Sequence, residues 1–321
     1  MKVAVAIPCY KVKTHIQSVI AGIGSEVHTI YVVDDCCPEQ SGNFVLANNH
    51  DERVKVLFHK ENQGVGGAIV TAYKQAIEDN IDIVVKVDGD GQMDPSLIPH
   101  FVDPIIQGRA DYTKGSRFFT LESLASMPFV RKFGNASLSF INKVSSGYWN
   151  VMDPTNGYTA IHAQALKLMP LDKLSRRYFF ESDMLFRLGT LRAVVQDIPM
   201  DAVYGDEVSN LSVKKVLVDF PPLYFKAFFK RVFYNYFLRD FNGASMELVL
   251  ALVLMLFGAF WGSSHWVDSI VSGEEASTGT VMLAVLPIIM GFQLLLSAID
   301  HDMTHVPSKP LQCWFSGAKK K

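Results

Sequence analysis

Four short runs of apolar, mostly β-branched residues recur near the start of the chain, at 3–7, 29–33, 54–58 and 81–87. Each is too short for a stable helix and reads as a buried strand. Between the first two, a helical pattern passes through Ile16, Val19, Ile20 and Ile23. Residues 39–49 suit a second helix, and Asn62-Gln63-Gly64-Val65-Gly66-Gly67 opens a third that continues through Tyr73 and Ile77. Strands alternating with helices imply crossover connections, hence parallel βαβ units. The expected fold class is α/β, with a doubly wound, Rossmann-like sheet. Ligands of such sheets bind beyond the carboxyl ends of the strands. The marked residues fall there: Pro8 and Tyr10 after the first run, Asp35 after the second, Asp88 and Asp90 after the fourth.

The fourth run ends in Asp88-Gly89-Asp90-Gly91-Gln92. In extended backbone, side chains at i and i+2 point to the same side, so Asp88 and Asp90 converge. A partial set of hard oxygen ligands suits Mg²⁺ or Mn²⁺ shared with a substrate's phosphates. An isolated Asp-x-Asp also reads as a polar turn after a buried strand. The glycines at 64, 66 and 67 fit either a phosphate cradle or close helix packing. They do not follow the first strand as Gly-x-Gly-x-x-Gly, and no Gly-Lys-Ser/Thr completes a Walker loop. A net charge of −2 gives no sign of a nucleic-acid partner. Cys9, Cys36, Cys37 and Cys313 show neither metal-ligand spacing nor a disulfide framework, which fits a reducing compartment. The N-terminus runs directly into a strand and reads as carrying no signal peptide.

At 321 residues the chain has room for one large or two modest domains. Its 49% hydrophobic content is uneven. Residues 213–241 interleave Phe220, Tyr224, Phe225, Phe228, Phe229, Phe233, Tyr236 and Phe237 with Lys226, Lys230, Arg231 and Arg239. Such an aromatic, basic, amphipathic stretch suits a membrane interface, or a helix packed on the preceding domain. Pro221-Pro222 reads as dividing it. Two apolar spans follow, Leu248 to Trp266 and Thr280 to Ile299, each near the ~20 residues that cross a bilayer. Pro287 and Gln293 lie within the second. No Lys or Arg occurs between Asp240 and Ser308, while the connecting loop carries Asp268, Glu274 and Glu275. The positive-inside rule then places both ends in the cytoplasm and the loop outside. The expected organisation is a catalytic domain at 1–211, interfacial helices at 212–245, a two-helix transmembrane hairpin at 246–300 and a cytoplasmic tail at 301–321.

Ile7-Pro8-Cys9-Tyr10, Val32-Val33-Asp34-Asp35, Asn62-Gln63-Gly64, Asp88-Gly89-Asp90-Gly91-Gln92 and Gly115-Ser116-Arg117 occur in that order. On these motifs the chain resembles a family 2 glycosyltransferase of GT-A fold over roughly residues 1–211. The resemblance is to the polyprenyl-phosphate sugar synthases, such as dolichyl-phosphate mannose synthase and bactoprenol glucosyltransferase. It implies inverting transfer from a UDP- or GDP-sugar, with Mg²⁺ or Mn²⁺. By the same resemblance Pro8, Tyr10 and Asp35 hold base and ribose, joined on the donor side by Gln63, Asp88, Gly89 and Arg117. Asp88, Asp90 and Gln92 hold metal and diphosphate. Asp90, Glu181 and Asp183 are the catalytic acids. Arg131, Thr155 and Asn156 line the acceptor side.

The family pattern continues with an Arg and then Gly-x-Ser-Lys-Leu. Here Tyr204-Gly205-Asp206-Glu207-Val208-Ser209-Asn210-Leu211 lacks the Arg and places Asn210 where the Lys stands, with Lys214-Lys215 nearby. Two enzymatic readings stay open. One is transfer to undecaprenyl or dolichyl phosphate on the cytoplasmic leaflet of a plasma or endoplasmic-reticulum membrane. The other is extension of a lipid-diphosphate-linked saccharide through a hydroxyl, for cell-surface polysaccharide assembly. A non-catalytic membrane scaffold is the reading from another class, and a homo-oligomer is left open.

Overall fold

The computed structural model describes residues 1–119, 129–201 and 213–316. The chain divides into two compact units, Met1–Arg231 with Pro307–Lys321, and Val232–Val306.

The first unit is built on a seven-stranded sheet in the order β3-β2-β1-β4-β6-β5-β7. The strands are β1 (Val3–Cys9), β2 (Val27–Asp34), β3 (Val54–Phe58), β4 (Ile83–Lys86), β5 (Tyr112–Ser116), β6 (Thr159–His162) and β7 (Val195–Pro199). β1 to β4 pair in parallel, as the alternating pattern requires. The sheet as a whole is mixed, because β6 runs antiparallel between β4 and β5. Nothing in a four-residue apolar run such as Thr159–His162 encodes its direction, so the sequence pattern was silent there.

Helices α1 (Ile16–Ala21), α2 (Ser41–Asn48), α3 (Val65–Glu78) and α4 (Ile98–Ile106) connect the early strands. Val5, Ile7, Ile30, Val32, Ile83 and Val85 alternate to one face and close a core with Ile16, Ile20, Ile98 and Phe101. α3 packs against β1 and β2. Beyond them come α5 (Phe129–Ser146), α6 (Ala163–Leu168), α7 (Phe180–Leu191) and α8 (Val213–Phe233). α8 runs unbroken through Pro221 and Pro222, contrary to the expected division. Proline's fixed φ is itself helical, so the turns continue through the pair although each ring removes a backbone donor. The Phe220, Tyr224 and Arg231 side of α8 packs inward. Phe220 and Tyr224 meet Phe179 edge-on, Tyr224 shares a 2.8 Å hydrogen bond with Ser182, and Arg231 donates to the Val144 carbonyl.

The chain returns to this unit at its end. The buried Asp111 carboxylate accepts the backbone N–H groups of Val194, Leu311 and Gln312. That caps the short helix α11 (Leu311–Ser316), and the Gln312 amide donates to the Ile105 and Ala110 carbonyls. The tail expected at 301–321 therefore holds, in its 311–312 stretch, a docking element of the first unit.

The second unit is a hairpin of α9 (Gly243–Ser272) and α10 (Thr278–Thr304). Asn242 and Ser245 form a reciprocal capping box, and Gly273 ends α9 at φ 71°, a left-handed conformation that glycine adopts freely. Gly258 lies against the Ala284 carbonyl and Gly291 against that of Ala251, so small residues let the two backbones approach. Most large apolar side chains point outward, including Leu256, Phe260, Trp266, Ile289 and Phe292. Both helices are long and apolar enough to cross a membrane. They extend about 45 and 40 Å, against a hydrocarbon core of about 30 Å.

Candidate active site

The carboxyl ends of β1, β2 and β4 lie side by side, with Cys9 opposite Asp34 and Ala6 opposite Lys86. The sheet pairing thus gathers Pro8, Tyr10, Asp35, Asp88, Gly89 and Asp90 at one edge. Tyr10 is exposed, and the Asp35 N–H is bonded to the Cys9 carbonyl. Asp35 itself is buried, and its carboxylate closes the glycine turn by accepting the N–H groups of Gln63 and Gly64 at 2.8 and 2.7 Å. His59 stands against the same carboxylate at 2.8 Å and reaches Thr71 with its other nitrogen. Gly64 sits at φ 83°, and a Cβ on Gly66 would come within 2.3 Å of the Ser175 carbonyl. Close packing of the turn against residues 175–176 is thus a structural demand on these glycines. Gln63 accepts from Arg176.

Asp88 and Asp90 follow β4 on a turn in which Gly91 has φ 79°. Gly89 is packed beneath, where a Cβ would crowd Val12, Ile7 and Ile16. Asp90 accepts the Gln92 N–H. Asp88 is partly exposed, with one oxygen held at 2.7 Å by the Lys86 ammonium. Lys86 has 1% of its side chain exposed; it also donates to the Gly157 carbonyl and lies 3.5 Å from Glu181. Burial works against its charge, while Asp88 and Glu181 on either side hold its pKa above the ordinary lysine value. One ammonium therefore ties the two carboxylates to the turn before β6. Lys114, across β6 from Lys86, donates to the Asn156 carbonyl. Burial pushes its pKa down to about 8, partly offset by Glu181 and Asp153.

The donor set fits a hard cation. Lys86 engages Asp88 through a single oxygen, and Asp90 stands two residues on. Among the described residues no group of three or more His, Cys, Asp or Glu side chains could enclose a metal. Two carboxylates with phosphate oxygens completing the shell match the way Mg²⁺ is usually held. Gln92 is half-buried beside them.

The other expected site residues, Arg117 of the donor side, Asn156 of the acceptor side and the acid Asp183, are more heavily committed to the protein. Arg117 is paired with the fully buried Asp153 at 2.7 and 3.1 Å and approaches Thr155 at 3.4 Å. Asn156 is buried and accepts the Tyr158 N–H. Asp183 is buried; one of its oxygens accepts the Ser175 N–H at 2.8 Å and the Arg187 guanidinium at 3.1 Å. Glu181, on the same first turn of α7, is the acid that reaches Lys86. The Arg131 side chain and residues 204–211 lie outside the described residues.

Lys86, Asp153 and Arg187 were not singled out from the sequence. A lysine two positions before Asp88 shares its face of the strand, and that was the available signal for Lys86. Arg187 stands four residues after Asp183, an i,i+4 helical spacing that was its available signal, whereas the Asp153 pairing joins residues that only the folded chain brings together.

Residues 4–169 match the Glycosyl transferase family 2 profile. The chain is 33% identical over 172 residues to the UDP-N-acetylglucosamine–dolichyl-phosphate N-acetylglucosaminyltransferase of Methanococcus voltae, covering 54% of this chain and 68% of that protein. It is 28% identical over 207 residues to the undecaprenyl-phosphate mannosyltransferase of Micrococcus luteus, covering 63% and 84%. Among solved structures, glucosyl-3-phosphoglycerate synthase from Mycobacterium tuberculosis with Mg²⁺ and UDP superposes at a TM-score of 0.53, with 17% identity over 72% of this chain and 79% of the other. At that identity the superposition speaks for the fold, which is the GT-A arrangement.

Proposed function

Because the chain belongs to glycosyl transferase family 2, we propose that it transfers a sugar from a nucleotide sugar to a polyprenyl monophosphate, with inversion at the anomeric carbon. In this reading a phosphate oxygen of the acceptor attacks that carbon, and its bond to the diphosphate breaks. The nucleoside diphosphate leaves. Pro8 and Tyr10 flank the base and ribose, with Asp35 holding the glycine turn beneath them. Asp88 and Asp90, with Gln92 beside them, would hold Mg²⁺ or Mn²⁺. Such an ion, when bound, neutralises charge on the leaving diphosphate. Lys86 keeps Asp88 and Glu181 in register. Arg117 faces the donor's phosphate, and Thr155 and Asn156 line the acceptor side with Arg131.

The observation that carries the monophosphate reading is the engagement of Asp183. A hydroxyl acceptor must lose a proton, and a positioned carboxylate supplies that. Asp183 is instead buried in a bond to Ser175 and an ion pair with Arg187. A phosphate acceptor is already an anion and needs no base. The named relatives act on dolichyl and undecaprenyl phosphates, and the two membrane-length helices here give such a lipid a surface to lie in. The test is the initial rate of two variants with donor saturating. Asp183→Asn should lose only a modest factor and Arg131→Ala should be severely impaired, because the acceptor's charge loses its partner. Collapse of Asp183→Asn with near-normal Arg131→Ala turnover would support the hydroxyl acceptor instead.

We place the catalytic unit on the cytoplasmic side. The Lys- and Arg-free stretch between Asp240 and Ser308 supports this. A cysteine at Ser272 should react with an impermeant reagent from outside intact cells, and one at Ser308 should not; the reverse pattern would overturn the orientation.

A further inference from the structure

Helix α5 is amphipathic the wrong way round for a water-facing helix. From residue 133 onward, its exposed residues are Phe133, Gly134, Ala136, Phe140 and Ile141, every one without a polar side chain. Phe133 and Phe140 are 67% and 61% exposed. The spacing of 133, 136, 140 and 141 is that of a single helical face. Three of its polar side chains turn inward, while Asn135, Ser137, Ser139 and Lys143 are half-buried. Asn142, Ser145 and Ser146 are buried, and both serine hydroxyls donate to the Asn142 carbonyl.

The helix cannot roll to hide this face. A Cβ on Gly189 of α7 would come within 2.2 Å of the Ser146 carbonyl, so the inner side is in close contact. Arg231 of α8 holds the Val144 carbonyl at 2.8 Å. Two exposed phenylalanines two turns apart, on a face whose exposed residues are all apolar, mark a surface that is covered in use.

We propose that this face of α5 rests in the lipid of the membrane surface. The neighbouring helix α8 supplies the reason to choose lipid. Opposite its packed side it exposes Phe225 and Phe229 at 67% and 53%, interleaved with the exposed Lys226 and Lys230. Aromatic rings alternating with cations suit the boundary between acyl chains and anionic headgroups. The same chain then continues into two helices of membrane-spanning length. A helix with an apolar exposed face, tied by Arg231 to one whose outer side alternates rings and cations in a chain that leads into such a hairpin, meets lipid before it meets protein.

The contact has a consequence for the site. Ser139 of α5 donates to the Met152 carbonyl, one residue before Asp153, which holds Arg117. A helix seated on lipid carries the 152–155 turn to the membrane surface, where a lipid-borne acceptor presents its phosphate. That consequence rests on the proposed transfer reaction; the lipid contact does not.

The test uses the full chain with its exposed cysteines, Cys36 and Cys313, replaced by serine. Single cysteines at Phe133, Phe140 and, as a control, the exposed Leu46 of α2 carry a nitroxide. The protein is reconstituted in vesicles of phosphatidylcholine and phosphatidylglycerol. Collision with dissolved oxygen is compared with collision with a water-soluble nickel chelate. The oxygen-to-nickel ratio should be several-fold higher at 133 and 140 than at 46. Equal ratios at all three would overturn the proposal. So would spin–spin broadening at 140 that disappears on dilution with unlabelled protein, since a second copy would then cover the face. Label at Ala136, a smaller substitution on the same face, decides the matter if a phenylalanine replacement fails to fold. Because no sugar transfer is measured, failure here is distinct from failure of the proposed reaction.

Discussion

The two halves of the candidate site use their carboxylates in different ways. In the half built from β1, β2 and β4, Asp88 is partly exposed and gives a single oxygen to Lys86, with Asp90 two residues away. In the half built from residues 117–183, Asp153 is fully buried around Arg117, and Asp183 is buried against Ser175 and Arg187. A half-exposed acid with oxygen to spare suits an incoming cation or phosphate. A buried acid already facing a guanidinium is architecture, because removing it would strand a charge. Asp35 shows that the line is not drawn by strand position alone: it sits in the first half, yet both of its oxygens hold the glycine turn. This edge is thus framed by a platform with carboxylate oxygen to spare and a second wall whose charges are largely internal.

The largest expected effect lies on the platform. Asp88→Asn and Asp90→Asn should each lower the transfer rate by at least about 10²–10³-fold, the scale on which a single electrostatic group at a leaving or developing charge acts. Asp90→Asn should melt near the parent, Asp88→Asn should keep its circular dichroism but melt lower because the buried Lys86 is left with Glu181 alone, and excess EDTA should reproduce the loss of activity. Full activity in EDTA would remove the contrast between the halves, since no cation would then be needed.

A smaller effect is expected on the second wall. Asp197, on β7, is buried enough that its pKa is pushed up to about 6, against an ordinary 3.8. The Met152 N–H and the Lys114 charge partly counter this. Its Oδ1 meets no hydrogen-bond partner among the described residues. A carboxyl whose folded pKa is raised makes the fold most stable when protonated, so stability falls as pH rises from about 4 to about 6 and stays low above. The full shift corresponds to about 3 kcal/mol. Asp197→Asn keeps an acceptor for Met152 and should flatten this slope, raising the melting temperature at pH 7.5 but not at pH 4. An unchanged pH profile would show that Asp197 is already well accommodated as an anion.

Much of the platform was legible before folding. The unbroken apolar runs Val3–Ile7 and Ile30–Val33, buried on both faces of the sheet, and the Asp-Gly-Asp-Gly turn after β4 are local patterns, and the parallel pairing of β1 to β4 follows from the helices between them. The second wall was not legible to the same degree. Its strand β6 is four residues long and antiparallel, and its key pairs, Arg117 with Asp153 and Lys86 with Glu181, join residues far apart in sequence. Residue types suggested Arg117 as a phosphate-facing cation, but only packing shows how closely Asp153 engages it. The same holds for α5, whose exposed residues from 133 onward are apolar while Asn142, Ser145 and Ser146 are inside. The docking of Leu311 and Gln312 on Asp111 likewise depends on a contact across most of the chain.

The most direct measurement is of the product. The purified protein in lipid nanodiscs receives a panel of labelled UDP- and GDP-sugars with either a polyprenyl monophosphate or a polyprenyl-diphosphate saccharide, plus Mg²⁺ or Mn²⁺. Label should pass into a lipid-soluble product only with the monophosphate, as a single sugar released by mild acid, with one nucleoside diphosphate formed per sugar transferred. Transfer confined to the diphosphate-linked saccharide, or no transfer from any donor in the panel, would contradict it.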